Sequence, residues 1–348
     1  MSHPPFPIGR GLCLLSGGLD SRLAIAVLRE QGLHVEAVVF ESPFFNSAPA
    51  RQAAEVLQVP LHAADFTADI LALLKSPPHG FGSCLNPCID CHARMLNRAG
   101  EMMERMGFDF LATGEVLNQR PMSQNRRALG TVLRDSAYGD RIVRPLSAQL
   151  LEPSLPEQRG IVDRTRLLKL SGRSRHAQME LARHYGIRDY PAPAGGCLLT
   201  EPGFCVRLKD LMEHEGLDER RRVRLLKGGR CFRLPGGAAC LAGRDQADNA
   251  ALAAEAKPGD IIVASLEDVP GPTVLLPGGA AEADLALACG ICASYTDRGS
   301  NGPEEPITVR VMRDGAVERR AVVPLPRAQS DAWLKHRPAA ASGARCGA

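Results

Sequence analysis

Apolar residues in the first hundred positions alternate between two periods. Gly11 to Leu15 is a short apolar run, and a glycine-rich loop follows it. From Asp20 to Gln31 the spacing of Leu23, Val27 and Leu28 marks one face of a helix, which Gly32 ends. His34 to Glu41 carries Val35, Val38, Val39 and Phe40, the composition of a buried strand. The pattern then predicts a helix over Ala48 to Gln58, a strand over Pro60 to Phe66, a helix from Ala93 to Met106 and a strand over Phe108 to Glu115. Strands that alternate with helices imply βαβ units and a parallel, helix-covered sheet, so residues 1–150 read as a doubly wound α/β domain.

Residues 151–205 read as a mostly helical linker broken by prolines. From 206 to 336 the pattern changes to short strand-like runs among Pro and Gly turns: Cys231 to Leu234, Ile261 to Ala264 and Thr273 to Leu276. Ile307 to Met312 and Val317 to Val323 flank Asp314-Gly315, a hairpin turn signal. This predicts a smaller α+β domain. Residues 337–348, rich in Ala and Gly, read as a disordered tail.

Composition narrows the class. The chain has 348 residues, 45% hydrophobic and 23% charged, with a formal net charge of +3. That is ordinary globular material for about two domains, which excludes disorder, collagen and coiled coil. No apolar run reaches the ~18 residues of a membrane span, so no membrane partner is expected. The first ten residues lack a basic-then-apolar signal, and a cytoplasmic protein is expected. Eleven cysteines in a reducing compartment read as metal ligands or reactive thiols rather than disulfides.

Ser16-Gly17-Gly18-Leu19-Asp20-Ser21 lies between the first strand and the first helix. Paired glycines let the backbone approach an anion, and the helix N-terminus adds free N–H groups and a positive dipole end. Asp20 could hold Mg²⁺ there, with Ser16 and Ser21 as hydroxyl donors. A Walker loop is excluded, because Gly-Lys-Ser/Thr is absent from the chain. The six residues resemble the SGGxDS motif of PP-loop ATP pyrophosphatases, of adenine nucleotide alpha hydrolase-like fold. The resemblance implies that the loop holds the pyrophosphate of ATP while a nucleophile takes AMP. It also puts Phe40 and Gly114, of Thr113-Gly114, beside adenosine.

Cys84, Cys88 and Cys91 lie in Cys-Leu-Asn-Pro-Cys-Ile-Asp-Cys, and Cys197 in Pro-Ala-Gly-Gly-Cys. The first three have the spacing of radical-SAM enzymes, although those belong to a barrel without a PP-loop. Cys289 and Cys292, in an apolar run, read as small buried residues, and so do the isolated Cys13, Cys205, Cys231, Cys240 and Cys346. Asn86-Pro87-Cys88 and Gly196-Cys197, with the loop, resemble the paired cysteines of tRNA thiouridylases of the MnmA and ThiI type. Thr113-Gly114-Glu115, Arg120-Pro121-Met122-Ser123-Gln124 and Arg144-Pro145-Leu146 extend the resemblance over residues 10–205. It implies an ATP-dependent tRNA sulfurtransferase with Asp20, Cys88 and Cys197 as catalytic residues. Cys91 departs from the persulfide-type enzymes and matches relatives in which three cysteines hold a 4Fe–4S cluster. On that pattern Cys88, Cys91 and Cys197 are the ligands and Cys84 is a spectator. The sulfur donor is sulfide or a persulfide carrier, and both routes stay open.

Charge is locally uneven. Arg159 to Arg175 holds six basic residues, among them Arg164, Arg166, Lys169, Arg173 and Arg175, against one acid, Asp163. From Arg220 to Arg233 seven basic residues, including Arg220, Arg221, Arg222 and Arg224, occur without an acid. Both runs read as surfaces for a tRNA phosphate backbone. Gly228 to Leu234, Gly243-Arg244, Asn249 and Pro270 to Leu276 resemble the NFACT-R domain, an RNA-binding module. The competing functions are a PP-loop enzyme that thiolates or amidates a small molecule, and a non-catalytic RNA-binding protein with a degenerate nucleotide domain.

Overall fold

The computed structural model describes residues 9–191, 196–266, 269–297 and 305–335, so Cys346 and the expected tail lie outside the described residues. The chain divides into two units, residues 1–200 and 201–348.

The first unit is built on β1 (Arg10–Leu14), β2 (His34–Glu41), β3 (Leu61–Asp65), β4 (Phe110–Ala112) and β5 (Ile142–Val143). All pairings are parallel, in the order β3-β2-β1-β4-β5. Leu12 and Cys13 on β1 are wholly buried, as expected for a central strand covered on both faces. The helices are α1 (Leu19–Glu30), α2 (Ala48–Leu57), α3 (Thr67–Lys75), α4 (Cys88–Met106), α5 (Arg126–Asp135), α6 (Leu155–Gln158) and α7 (His176–His184). The strand following β1 in sequence pairs on one side of it, and β4 pairs on the other. Such a reversal opens a crevice at the carboxyl ends of the strands, where open α/β sheets bind ligands.

Three local differences from the sequence reading matter. Helix α4 begins at Cys88 rather than Ala93, because Pro87 at its N-cap and Asp90 in its first turn start it early. Cys88 and Cys91 are therefore neighbours three residues apart on one helical face. The strand expected over Phe108 to Glu115 contracts to β4; Thr113 keeps one backbone hydrogen bond, to Val143 O at 3.1 Å, and Gly114 and Glu115 leave the sheet. The segment expected as a linker contains mostly irregular chain, with glycines at positive φ at Gly160, Gly172 and Gly186. Its Val162, Leu167, Ala182 and Ile187 join the core of the first unit.

The second unit holds α8 (Pro202–His214), α9 (Arg220–Leu225), β6 (Arg230–Arg233), β7 (Ala239–Ala242), α10 (Gln246–Ala254), β8 (Ile261–Ser265), β9 (Thr273–Leu276), α11 (Glu282–Tyr295), β10 (Ile307–Arg313), β11 (Ala316–Val322) and α12 (Arg327–Asp331). Its strands form one antiparallel sheet in the order β11-β10-β8-β9-β7-β6. The fold is thus α+β. Asp314 and Gly315 both have positive φ, the geometry of a two-residue hairpin turn. Cys289 and Cys292 on α11 are fully buried against the sheet, as small core residues. Among the described residues no helix is long and apolar enough to cross a membrane.

Candidate active site

The loop after β1 is fixed by its glycines. Gly17 has φ +82°, and a Cβ there would lie 2.3 Å from the carbonyl carbon of Pro49. Gly18 is the N-cap of α1 in extended conformation. Ser21 Oγ donates to Gly18 O at 2.9 Å and lies 3.3 Å from Ser16 Oγ, so the two hydroxyls face each other across the loop. Leu19 is buried beneath it. From behind, the buried Arg22 donates through Nε to Gly17 O at 3.0 Å and through Nη1 to Asp189 O at 2.5 Å.

Asp20 lies in the first turn of α1. Its Oδ2 accepts a hydrogen bond from Gln119 Nε2 at 2.7 Å, while its buried Oδ1 has no hydrogen-bond partner. Gln119 is held in turn by the buried Gln178 on α7, whose Nε2 donates to Gln119 Oε1 at 2.8 Å. A buried carboxylate oxygen without a donor suits a hard cation, so Asp20 fits a Mg²⁺ ligand.

Gly114 packs directly on this loop. A Cβ on it would lie 2.5 Å from Ser21 N and 2.6 Å from the carbonyl carbon of Asp20. Phe40 is buried, its ring centroid 5.4 Å from that of Phe66, which leaves only its main chain for a nucleotide.

Glu115 follows Gly114 and joins the loop to the cysteines. Its Oε2 accepts from Arg144 Nε at 2.8 Å and from Thr113 Oγ1 at 3.0 Å. Its Oε1 lies 3.3 Å from Nδ1 of His92, the residue after Cys91 on α4. Burial alone would push the Glu115 carboxyl up, but the Arg144 guanidinium and His92 hold it well below the usual carboxylate range.

Asn86 Nδ2 donates to Cys88 Sγ at 3.2 Å, and Asn86 Oδ1 accepts from Cys84 N at 3.0 Å. Cys197 begins a turn in which Thr200 Oγ1 donates to its carbonyl at 2.7 Å. Burial pushes the Cys91 thiol far up, and the charges of Cys197 and Cys88 push it further. Burial likewise raises Cys197, to about 11, against a backbone hydrogen bond from Leu199 and with Cys88 adding to the rise. The charges of Cys88 and Cys197 thus both act on Cys91, and that of Cys88 acts on Cys197. Cys84 contributes to neither shift.

Among the described residues no group of three or more His, Cys, Asp or Glu stands so as to hold a single metal ion. The donor chemistry still fits an iron–sulfur cluster. Three soft thiols, each half-buried, act on one another's charge, and a cluster would spread its thiolates over several irons rather than around one ion.

The basic residues fare unevenly. Arg164 donates to Glu157 Oε1 at 2.5 Å, and Arg166 to Glu30 O at 2.5 Å. Lys169 and Arg173 are exposed, and Arg175 keeps a buried Nε without a partner. On α9 the free basic face expected from sequence does not form. Arg220 is exposed but has a partner of its own. Arg221 is buried and paired with Asp260, Arg222 lies 3.3 Å from Glu215 and Glu219, and Arg224 grips Glu255 at 2.8 and 2.9 Å. The acids come from flanking and distant positions, which a window over Arg220 to Arg233 does not contain.

Comparison with known proteins agrees with this two-part organisation. Residues 6–148 match the family model described as thiamine biosynthesis protein (ThiI), and residues 229–334 match NFACT-R_2, described as NFACT protein RNA binding domain. The tRNA-specific 2-thiouridylase MnmA of Sulfurimonas denitrificans is 30% identical over 115 residues, 30% of this chain and 33% of that protein. A protein of Oceanobacillus iheyensis named "Probable tRNA sulfurtransferase" is 30% identical over 148 residues, 40% of this chain and 35% of that protein. The chain spans about a third of the length of these curated relatives. A solved 4-thiouridine synthetase–RNA complex with bound ATP aligns with 52% of this chain and 53% of its own, at 21% identity and a TM-score of 0.35. Residues 6–148 are thus a ThiI-type domain, and residues 229–334 an NFACT-R_2-type domain.

Proposed function

We propose that this protein is an ATP-dependent tRNA sulfurtransferase that makes a thiouridine. The observation that carries this reading is one unbroken line of contacts inside the first unit. Asp20 and Ser21 touch Gly114, the next residue Glu115 pairs with His92, and His92 follows Cys91. A loop suited to pyrophosphate and a set of thiols are thereby held in one frame.

The chemistry needs both. A uridine carbonyl oxygen cannot leave as oxide. If that oxygen attacks the α-phosphorus of ATP, the bond to the β-phosphate oxygen breaks and pyrophosphate departs. A sulfur nucleophile then adds to the same carbon, and AMP leaves with the original oxygen. Loop amides, Ser16 and Ser21 would stabilise the departing pyrophosphate, and Gly114 lets the chain after β4 pack directly on the start of α1. Held by Asp20, Mg²⁺ would neutralise charge on the phosphates. Cys88, Cys91 and Cys197 would hold a 4Fe–4S cluster, which when bound supplies a Lewis-acidic iron for the sulfur donor. In the alternative route a persulfide on Cys197 attacks the carbon, the Cys88 thiolate cleaves the resulting disulfide to free the thiolated base, and an external thiol reductant would reduce the Cys88–Cys197 disulfide left behind. Both routes need thiolates, so both need a neighbour or metal that counters the burial of Cys197.

The exposed Lys169 and Arg173, with Arg175, support a phosphate-backbone contact on the first unit. The NFACT-R_2 match supports an RNA role for the second. The test is pyrophosphate release from ATP with and without tRNA. Release that requires tRNA supports the reading, whereas release driven by a small acceptor alone favours a PP-loop enzyme acting on small molecules.

A further inference from the structure

The second unit carries an open cleft of about 670 Å³, lined in part by Arg230 from the end of the second basic run and by Arg244, Asn249 and Pro270 from the NFACT-R-like segments. Three elements converge on it: Arg230 at the start of β6, Tyr295 at the end of α11 and Arg327 at the start of α12. The guanidinium carbons of Arg230 and Arg327 lie 4.3 and 4.8 Å from the centroid of the Tyr295 ring. Two like charges are thus gathered on one aromatic ring, whose quadrupole attracts each of them. Among the described residues neither arginine has a carboxylate partner, in contrast to Arg221, Arg222 and Arg224.

Of the other charged groups of the cleft, Arg244 is paired with an acid and Asp245 serves as a helix cap. Arg244 donates to Asp248 Oδ2 at 2.6 Å. Asp245 caps α10 by accepting from Asp248 N at 2.9 Å, so the helix end needs no external anion. Asp297 has a partner of its own. The wall is rigid: Asn249 donates to Gly271 O at 3.1 Å and accepts from Thr273 N at 2.8 Å. Gly271 sits so close to Ser265 and Thr296 that a Cβ would lie 2.7 Å from each hydroxyl.

We propose that the cleft formed by Arg230, Tyr295 and Arg327 binds one phosphate-bearing nucleotide of an unpaired RNA segment. The proposal rests on the reading that the partner is RNA, and it moves the contact of the second unit from α9 to this cleft. Cations without a counter-charge call for an anion. Guanidinium planes held on a ring also offer a stacking face to a base that has left its helix. A concave cleft admits such a splayed nucleotide, whereas a duplex would present its phosphates to a flatter surface.

The test is binding of a labelled single-stranded RNA oligonucleotide to the full chain over a range of salt, with uridine monophosphate and an RNA duplex as separate arms. Arg230→Gln with Arg327→Gln should weaken single-strand binding and lower the salt slope by about 1.4, two contacts at about 0.7 each. Arg327→Gln alone, at an exposed position, should lower it by about half as much with the fold intact by thermal unfolding. Tyr295→Leu should weaken binding although every charge remains, and Tyr295→Phe should restore it. Unchanged affinity and slope in the double variant would overturn the cleft and leave the RNA reading standing. No RNA binding by the unaltered protein would overturn both. Equal affinity for uridine monophosphate, or for duplex, would overturn the unpaired strand as the ligand.

Discussion

Gln119 reaches across 99 positions of sequence to donate from Nε2 to Asp20 Oδ2 at 2.7 Å, and so aims the free Oδ1 of that carboxylate. Gln178 orients Gln119 from the other side. Gln119→Leu should therefore slow tRNA-dependent pyrophosphate release about tenfold, the kinetic equivalent of one hydrogen bond to a charged group. Gln119→Glu, which sets a second carboxylate against Asp20, should slow it further unless Mg²⁺ is raised. An unchanged rate in both variants would remove Gln119 from the site.

Asp20→Asn should abolish pyrophosphate release and leave thermal stability nearly unchanged. The substitution removes a partly buried negative charge, while the loss of an acid from a helix first turn costs about 0.3–1 kcal/mol. Collapse of cooperative unfolding would mean that the carboxylate is structural.

Glu115→Gln should destabilise the protein by about 3–5 kcal/mol in urea, because it leaves Arg144 buried without its counter-charge. The sign with pH follows from the depressed carboxyl. Its contribution is fully present above the unfolded value, about 4.3, and declines as pH falls from there toward the lower folded value. The gap between the two proteins should therefore be constant near neutrality and narrow in acid. A gap that widens in acid would contradict the pairing.

Arg221→Ala should be a stability variant and leave the RNA salt slope unchanged. Its buried pairing with Asp260 implies a loss of about 3–5 kcal/mol. A flattened slope with full stability would return α9 to the RNA surface.

Cys91→Ala separates the two sulfur routes. With a cluster on Cys88, Cys91 and Cys197, protein purified without oxygen should lose iron and thiolation together. With a persulfide on Cys197 and Cys88 as the resolving thiol, activity should survive. Cys84→Ala should be silent in either case.

Much of the first unit was legible because its strands are short and apolar and its helices end at Gly or Pro, as at Gly32 and Pro60. The loop was legible for the same local reason, since its six residues are contiguous. What holds the loop was not. Gln119 meets Asp20, and Gln178 meets Gln119, only through the fold; the Arg120 to Gln124 segment beside Gln119 carried the resemblance without marking Gln119 itself. Arg22 had a weak signal, a cation on the apolar face of α1. Strand β7 was missed because its four residues, Ala239, Cys240, Leu241 and Ala242, include no β-branched or aromatic side chain. The arginines of α9 misled for the opposite reason. A charge run reads as free until the acids that the fold brings to it are known, and Asp260 and Glu255 are more than thirty positions away.

The most direct measurement is mass spectrometry of nucleosides from tRNA incubated anaerobically with the protein, ATP and Mg²⁺ and, in parallel arms, either sulfide or a persulfide donor with a thiol reductant. The account predicts a uridine in which one oxygen is replaced by sulfur, formed together with AMP and pyrophosphate and lost in Asp20→Asn and Cys197→Ala. AMP and pyrophosphate without any thiolated nucleoside, across tRNA from the native source, would contradict it.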